Sequence, residues 1–429
     1  MRIFTSLLVA AAFTGAVSAQ TTITDSVQTG GSYANDVYYS LSTGKVKELG
    51  NNDWQLGFSI GTFNVAVRAN TTTGSSGDGA VSIYEVAGKD TTKWASFDTT
   101  GYAAWPKLDN SDENWEEGAL NQNASGQTDY GWGAYDMNTH IITGHRLYLA
   151  VVKSGTSTLY KKVWVLNKTA GTWSIRFANI DGSDAKNLTI ASSAYSTKNF
   201  AYVSLVTGSI VDREPAKDAW DFILTRYAAW QPAQSVYYPS IGILTNAGVT
   251  TSEVRGKEET NTTLADTTVF SDNISAIGAD WKQLNNQTFA FYAVDSLSYF
   301  VKDNNSDIWK LVFTNFSSGS SPSGTGRAVF NKTKVYTAPS VGLNNAGSIN
   351  TFAVYPNPAT DAVSVLFDVT ESNSTVSISD LSGRTLHTEN ISGKGFQNKA
   401  ISLGSFAKGI YLISITNGSS RSVQKVIVQ

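Results

Sequence analysis

Thr172-Trp-Ser-Ile-Arg-Phe177 places apolar side chains at 173, 175 and 177 and polar ones at 172, 174 and 176. Trp309, Leu311 and Phe313 alternate in the same way with Lys310 and Thr314. Successive side chains of a strand point to opposite faces, so a period of two marks strands with one face buried. Working outward, helical periodicity is nearly absent. Clusters of turn-forming residues separate the alternating runs: Gly74-Ser-Ser-Gly-Asp-Gly79, Asp181-Gly-Ser-Asp184, Asp303-Asn-Asn-Ser-Asp307 and Ser317-Ser-Gly-Ser-Ser-Pro322. The 11 Trp, 19 Tyr and 19 Phe suit sheets packed on a large aromatic core. The chain reads as all-β.

At 429 residues it is too long for one ordinary domain and suits two or three. With no Cys there is no disulfide framework, Cys-ligated zinc, iron–sulfur cluster or thiol nucleophile, and 3 His leave little for a multi-histidine metal site. A net charge of −3 carries no basic footprint for nucleic acid or an anionic membrane.

At the N-terminus Arg2 precedes an apolar stretch, Leu7 to Phe13, and then the small residues Val17-Ser18-Ala19. This order of basic, apolar and small residues is that of a secretory signal peptide, residues 1–19, with cleavage expected after Ala19. No later segment supplies the roughly twenty apolar residues of a membrane-spanning helix, and there is no cysteine to acylate. At the other end, residues 351–429 form a unit of small-domain size. Pro356 and Pro358 confine its entry segment to a sheet edge. Alternation then recurs at Val363, Val365 and Phe367, at Val376 and Ile378, at Ile410 and Leu412, and at Val426 and Val428, with Asp380-Leu-Ser-Gly-Arg384 as a hairpin turn. Four spaced elements, Tyr355-Pro356-Asn357-Pro358, Ser382-Gly383-Arg384, Leu403 through Gly409-Ile-Tyr411, and Lys425-Val-Ile-Val428, make this unit closely resemble the type A C-terminal sorting domain of the type IX secretion system. The resemblance implies a small immunoglobulin-like β-sandwich, and the type IX machinery with its sorting protease as partners. It also implies delivery through the periplasm to the outer cell surface or the medium after the sorting unit is removed.

Between the ends the sequence repeats. Ser40-Leu41, Thr43-Gly44, Asp53-Trp54, Leu56 and Phe58 recur as Ser204-Leu205, Thr207-Gly208, Asp218, Trp220, Phe222 and Leu224. Val152-Lys153, Tyr160-Lys161 and Val163-Trp164 recur without a gap as Val301-Lys302, Trp309-Lys310 and Val312-Phe313. This predicts one β lobe over 33–192, a second over 199–339, and a linker at 340–350 before the sorting unit. Trp54 and Trp220 read as core anchors, with a ligand-stacking platform as the alternative.

The motifs Tyr38-x-Ser-Leu-x-Thr-Gly44 and Asn52-Asp-Trp-x-Leu-x-Phe58, the hairpin ending in Tyr160-Lys161, the segment Trp94 to Gly101, Trp115-Glu-Glu-Gly-Ala119-Leu-Asn121 and Tyr130 to His140 resemble the HmuY family of secreted haem carriers. That resemblance covers most of 33–339 and implies non-catalytic binding on an all-β scaffold, with haem or a related porphyrin as the named ligand. His140, His145 and Met137 are the candidate axial ligands, since imidazole and thioether both ligate haem iron. Two ligands so close in sequence do not easily reach opposite faces of one iron, and the second lobe has neither His nor Met. Surface adhesion or glycan binding through exposed aromatics is the alternative.

Other motifs carry little chemistry. Asp303-x-Asn305-x-Asp307 lacks the glycine and distal glutamate of a calcium loop and reads as a hairpin turn. The acidic run Asp109 to Glu117 reads as a solvated loop, and no nucleophile elbow, phosphate loop or zinc-protease helix is present, so no enzyme activity is expected. Asn-x-Ser/Thr sites and the triplets Asp25-Ser-Val27 and Asp295-Ser-Leu297 are weak signals for glycosylation.

Overall fold

A computed structural model describes residues 21–61, 64–71, 80–88, 90–338, 349–418 and 420–429. The segments expected to be a signal peptide, residues 1–19, and most of a linker, 340–350, lie outside the described residues. The chain divides into two compact units, 1–338 and 339–429. Both are all-β, and no helix among the described residues exceeds one short 3₁₀ turn.

Four sheets stack in the first unit. Sheet 1 has the order Lys186–Ala191 (β13), Thr172–Asn179 (β12), Ser157–Lys168 (β11), Tyr148–Ser154 (β10), Val81–Glu85 (β6) and Lys107–Leu108 (β7), with Gly133–Tyr135 (β8) and Ile142–Gly144 (β9) at its side. Sheet 2 runs Ser209–Val211 (β15), Phe200–Ser204 (β14), Leu56–Ser59 (β4), Val67–Ala69 (β5). Sheet 3 runs Gly44–Gly50 (β3), Asn35–Ser40 (β2), Phe222–Gln231 (β16), Val236–Thr245 (β17). Sheet 4 runs Thr22–Gln28 (β1), Arg327–Tyr336 (β23), Ile308–Ser317 (β22), Leu297–Lys302 (β21), Thr250–Arg255 (β18). A two-stranded ribbon pairs Lys282–Leu284 (β19) with Phe291–Ala293 (β20).

Period-two alternation assigns the faces. Leu56 and Phe58 enter a core with Trp173, Ile175 and Phe177 between sheets 1 and 2, while Gly57 between them looks away. Val37 and Tyr39 enter a second core with Leu311, Phe313 and Phe330 between sheets 3 and 4, while Tyr38 looks away. The outward faces of sheets 2 and 3 meet each other.

The two sandwiches are not the two consecutive lobes that the repeat suggests. In the first, β4 to β13 are completed by β14 and β15 of the second repeat. In the second, β16 to β23 are completed by β2 and β3 of the first, with β1 ahead of it at the sheet edge. The repeats therefore exchange their leading two strands, and residues 33–192 and 199–339 each contribute to both cores. Loop length supplies the reason. For a repeat to close on itself, β4 would lie beside β2 and parallel to β3, and a parallel crossover needs a dozen or more residues. Only residues 51–55 join β3 to β4, and only 212–221 join β15 to β16. Each chain segment therefore runs on into the other sandwich. Matching hydrogen bonds fasten both exchanges: the Asp221 carboxylate accepts the Leu41 N–H at 2.6 Å, and the Gln55 side-chain carbonyl accepts the Leu205 N–H at 2.7 Å.

The gapless alignment of the back hairpins also shifts. Val152 faces Leu159 and Val301 faces Trp309, so Leu159 holds the ladder position of Trp309. A one-residue slip exchanges the faces of a strand. Accordingly Tyr160 is 39% exposed whereas Trp309 is 6% exposed.

The second unit is a seven-stranded sandwich. Ile349–Tyr355 (β24), Ala362–Val369 (β25) and Gly395–Ser402 (β28) form one sheet in the order β24-β25-β28. Asn373–Asp380 (β26), Thr385–Ser392 (β27), Gly409–Asn417 (β29) and Ser420–Val428 (β30) form the other in the order β27-β26-β29-β30. This is an immunoglobulin-like layering. The segment Pro356-Asn357-Pro358 follows edge strand β24. The Asn357 amide donates to the Lys425 carbonyl at 2.8 Å and its oxygen accepts the Ile427 N–H at 2.9 Å, tying the entry to the last strand. Gly383, at φ +86°, turns the hairpin whose N–H groups at Ser382 and Arg384 are held by Asp380. Gly409 opens β29, two residues before Tyr411, whose hydroxyl donates to Ala407 at 2.7 Å.

Candidate functional site

Where sheets 2 and 3 face each other, corresponding residues of the two repeats meet. Tyr38 packs edge-on against Trp220 with ring centroids 5.0 Å apart, and Trp54 packs edge-on against Tyr202 at 4.9 Å. Trp54 and Trp220 are thus anchors of the seam between sandwiches rather than of either core. Their indole Nε1 atoms are buried with no hydrogen-bond partner among the described residues. Trp115 closes the seam from the loop 109–115. It packs against residues of both sheets and donates its indole N–H to the Thr245 carbonyl at 2.9 Å. The acidic run keeps Glu113, Glu116 and Glu117 exposed as a solvated loop does, while its Asn110 and Trp115 turn inward and wall the seam. The Asn110 amide clamps Ala69 from both sides, and Arg68 donates to the carbonyls of Ser111 and Asn114 at 2.8 and 2.7 Å.

Between these walls lies a cavity of about 80 Å³, lined among others by Tyr38, Gly57, Arg68, Tyr202, Ile223 and Leu244. On this measure a water needs ~10–15 Å³, so the space suits several waters or one small ring and is far too small for a tetrapyrrole. Two ionisable groups from the link between β15 and β16 border it. Arg213 pairs with Asp36 and Asp53, each at 3.0 Å. Burial pulls its pKa down, but the two carboxylates outweigh burial and hold it above the usual value. Glu214 is pushed up to about 7 by burial, although it accepts the N–H groups of Asn199 and Phe200 at 3.1 and 2.9 Å. Arg68 is pulled down to about 10 by burial, which leaves it cationic at neutral pH.

Strands β16 and β17 extend beyond this seam as a hairpin. Trp230 and Tyr237 pair there at 5.0 Å between centroids, Trp230 is 40% exposed, and its backbone N–H donates to Asp112 at 2.7 Å. An aromatic face thus stands open beside a carboxylate.

The histidine and methionine candidates lie elsewhere, and none of the three lines the cavity. Met137 and His140 belong to the exposed turn between β8 and β9. His140 adopts φ +57°, and its Nδ1 lies 2.6 Å from the Tyr135 hydroxyl. His145 sits between Arg146, whose Nε donates to its Nε2 at 3.3 Å, and Asp129 at 3.5 Å. Among the described residues no group of three His, Cys, Asp or Glu is placed to hold a metal ion. Asp303 closes its own hairpin turn by accepting the N–H groups of Asn305 and Asp307 at 2.9 and 3.0 Å.

The seam residues Arg68, Arg213 and Glu214 escaped sequence reasoning because no motif groups them. Gly57 carried a readable signal, since an isolated glycine within a strand marks a close approach or a vacant position.

Residues 353–429 match the family described as Secretion system C-terminal sorting domain. The chain thus ends in a sorting domain, which supports export by the type IX system and contact with its machinery. No curated protein matches the chain. A crystal structure of dimeric latent PorU from Porphyromonas gingivalis is similar over 67% of this chain and 26% of that one, at 9% identity and a TM-score of 0.17, a level that carries no argument about fold. No helix among the described residues is long and apolar enough to cross a membrane.

Proposed function

We propose that the first unit is a non-catalytic binding protein, delivered by its sorting domain to the cell surface or the medium, and that its ligand is a glycan. The observation that carries this reading is the open Trp230–Tyr237 face beside Asp112. Aromatic rings cover the C–H face of a sugar while a neighbouring carboxylate takes its hydroxyls, and an exposed indole has an apolar body suited to that contact. A binding role also agrees with the employment of the buried carboxyls: Glu214 and Asp221 hold backbone N–H groups that fasten the exchanged strands. Binding of the secreted chain to a glycan array, with signals lowered about tenfold by Trp230→Ala, is the expected result. An array with no retained glycan overturns the reading.

Haem is the second candidate, named by the resemblance to HmuY. It is favoured by one feature, an exposed imidazole oriented by Tyr135 three residues from exposed Met137. Haemin titration should then give a Soret band that His140→Ala weakens, and an unchanged spectrum in that variant rejects His140 as ligand.

A further inference from the structure

We propose that the outward face of sheet 4 carries a second saccharide site, a groove for an uncharged stretch of a glycan chain. This rests on the glycan reading and adds to it a place and a charge preference.

The two sandwiches cover their outward sheets differently. Strand β6 pairs with β10 and β18 with β21, and after each of these edge strands the chain crosses the outer face of its sheet. A lysine fastens each crossing. Lys162 donates to the Trp94 carbonyl at 2.8 Å, and Lys310 donates to the carbonyls of Glu259 and, at 2.6 Å, Thr262. On sheet 1 the crossing segment lies down on the face, where Trp94, Phe97, Tyr102 and Trp105 pack with Leu149 and Trp164. On sheet 4 the crossing, Gly256 to Asp266, has only Leu264 and Ala265 as apolar side chains. The sheet differs with it. Counted from the facing pairs Val152–Leu159 and Val301–Trp309, the place of Trp164 falls to Thr314. The space that aromatic rings fill on sheet 1 is therefore open on sheet 4. It forms two adjoining clefts of about 550 and 470 Å³ that share Glu259 and Val312, within the range of about 300–1,000 Å³ common to ligand sites.

The lining selects the ligand. Val312 and Val335 give an apolar floor, and Thr22, Thr263, Asn331 and Thr333 set hydroxyl and amide groups around it. A hydroxyl has one donor and two acceptor positions, so the Thr22–Thr333 hydrogen bond at 2.8 Å leaves both side chains able to bond a further partner. Such a mixture matches a sugar ring, whose faces are C–H and whose rim is hydroxyl. Tyr292, 47% exposed, borders the second cleft and offers an aromatic ring at that end. Glu259 stands where the clefts meet and Asp295 in the second; among the described residues neither forms an ion pair, because Lys257 is held by Asp266 and Lys310 by the carbonyls of the wall. One Glu259 oxygen accepts the Leu297 N–H at 3.3 Å, which orients the carboxylate and leaves the other oxygen for a ligand hydroxyl. Two carboxylates accept hydroxyl donors but repel an anion, so the groove takes a neutral sugar and turns away an acidic one.

Titration calorimetry of the full secreted chain with the neutral cellohexaose, xylohexaose, mannohexaose and maltohexaose, and with the acidic hexagalacturonate, tests the groove. At least one neutral hexamer should bind, and hexagalacturonate at least tenfold more weakly. Thr314→Trp, which installs the residue of sheet 1, should abolish binding in the groove. Glu259→Gln keeps a carbonyl oxygen for the Leu297 N–H and removes the charge; it should weaken the neutral hexamer about tenfold and narrow its margin over hexagalacturonate. Thr314 is exposed and Glu259 half-buried, so both variants should keep the wild-type urea midpoint, and if Thr314→Trp lowers it, Glu259→Gln decides. Neutral-hexamer binding indifferent to both variants overturns the groove. If only Trp230→Ala removes binding, the groove is wrong and the Trp230–Tyr237 face stands; if only Thr314→Trp removes it, the groove stands without that face. If no saccharide binds at all, both fall.

Discussion

Tyr202–Gly57–Arg68 and Tyr38–Ile223–Leu244 hold the same places in sheets 2 and 3, yet one row opens a space with a buried cation and the other fills its share with aliphatic carbon. The backbone around them is fastened alike. Asn70 donates to the Asn51 and Trp54 carbonyls at 2.7 and 2.9 Å, and Asn246 to the Lys217 and Trp220 carbonyls at 2.6 and 2.8 Å. Two copies of one scaffold thus face each other with rows that keep the tyrosine and differ at the other two positions. The asparagines that fasten the backbone are the same in both copies, as are the tyrosine and tryptophan of the seam, while the residues beside them in the facing rows differ.

The sharpest break in this comparison is Arg213→Met. It leaves Asp36 buried without its cation, while the other repeat has Phe200 at that position and no such pair. Removing one partner of a buried ion pair costs about 3–5 kcal/mol. Tryptophan fluorescence in urea measures it cleanly, because all 11 Trp lie before residue 310 and report only the first unit. An unchanged midpoint would show that the seam does not depend on this pair.

A second difference is pH. Glu214, ordinarily 4.5, is raised to about 7, and Asp221, ordinarily 3.8, to about 6. The folded chain holds these protons more tightly than the unfolded one. Their contribution to stability is therefore complete below the ordinary values and is lost as pH rises through about 6 to 7. Glu214→Gln should flatten the decline between about pH 4.5 and 7, an effect of up to about 3 kcal/mol. Urea midpoints measured across that range decide it, and a parallel curve for the variant contradicts the assignment.

The equivalent fasteners Asp221–Leu41 and Gln55–Leu205 differ in charge. Gln55→Ala should cost about 1–3 kcal/mol by leaving the Leu205 N–H buried and unpaired, with no change in pH dependence, whereas Asp221→Asn should remove part of the pH slope. The smallest effect expected is that of Trp54→Phe or Trp220→Phe. Each removes an indole N–H that has no acceptor, so the loss of area and the relief of an unpaired donor should cancel to within about 1 kcal/mol. A loss above 3 kcal/mol in thermal or urea unfolding would mean that the donor is satisfied in solution.

Much of the fold was legible. The alternation at Trp173, Ile175 and Phe177 became a strand with all three side chains fully buried. The turn at Asp380 to Arg384 and the strand opening at Gly409 stand where their residues place them. The repeat was also real, because Trp54 and Trp220 occupy matching places. Its partnering was not legible. Self-similarity shows that two segments fold alike but is silent on whose strands complete whose sheet, and the slip that sets Leu159 rather than Tyr160 opposite Val152 arises in a hairpin turn that the alignment treated as equal. The site was least legible. Gly57 and Arg68 are eleven positions apart in the chain but adjacent across a ladder, while Arg213 reaches Asp36 from 177 positions away.

The sequence by itself determined the class of fold and the sorting unit, because strand alternation, turn residues and the Tyr355-Pro-Asn-Pro motif act locally, within a few residues of where they are read. Tertiary structure alone decided the exchange of strands and the cavity between them. Five residues at 51–55 cannot make a parallel crossover, so each repeat completes its partner, and only that crossing of the chain brings Tyr38, Trp54, Arg68 and Trp220 to one place.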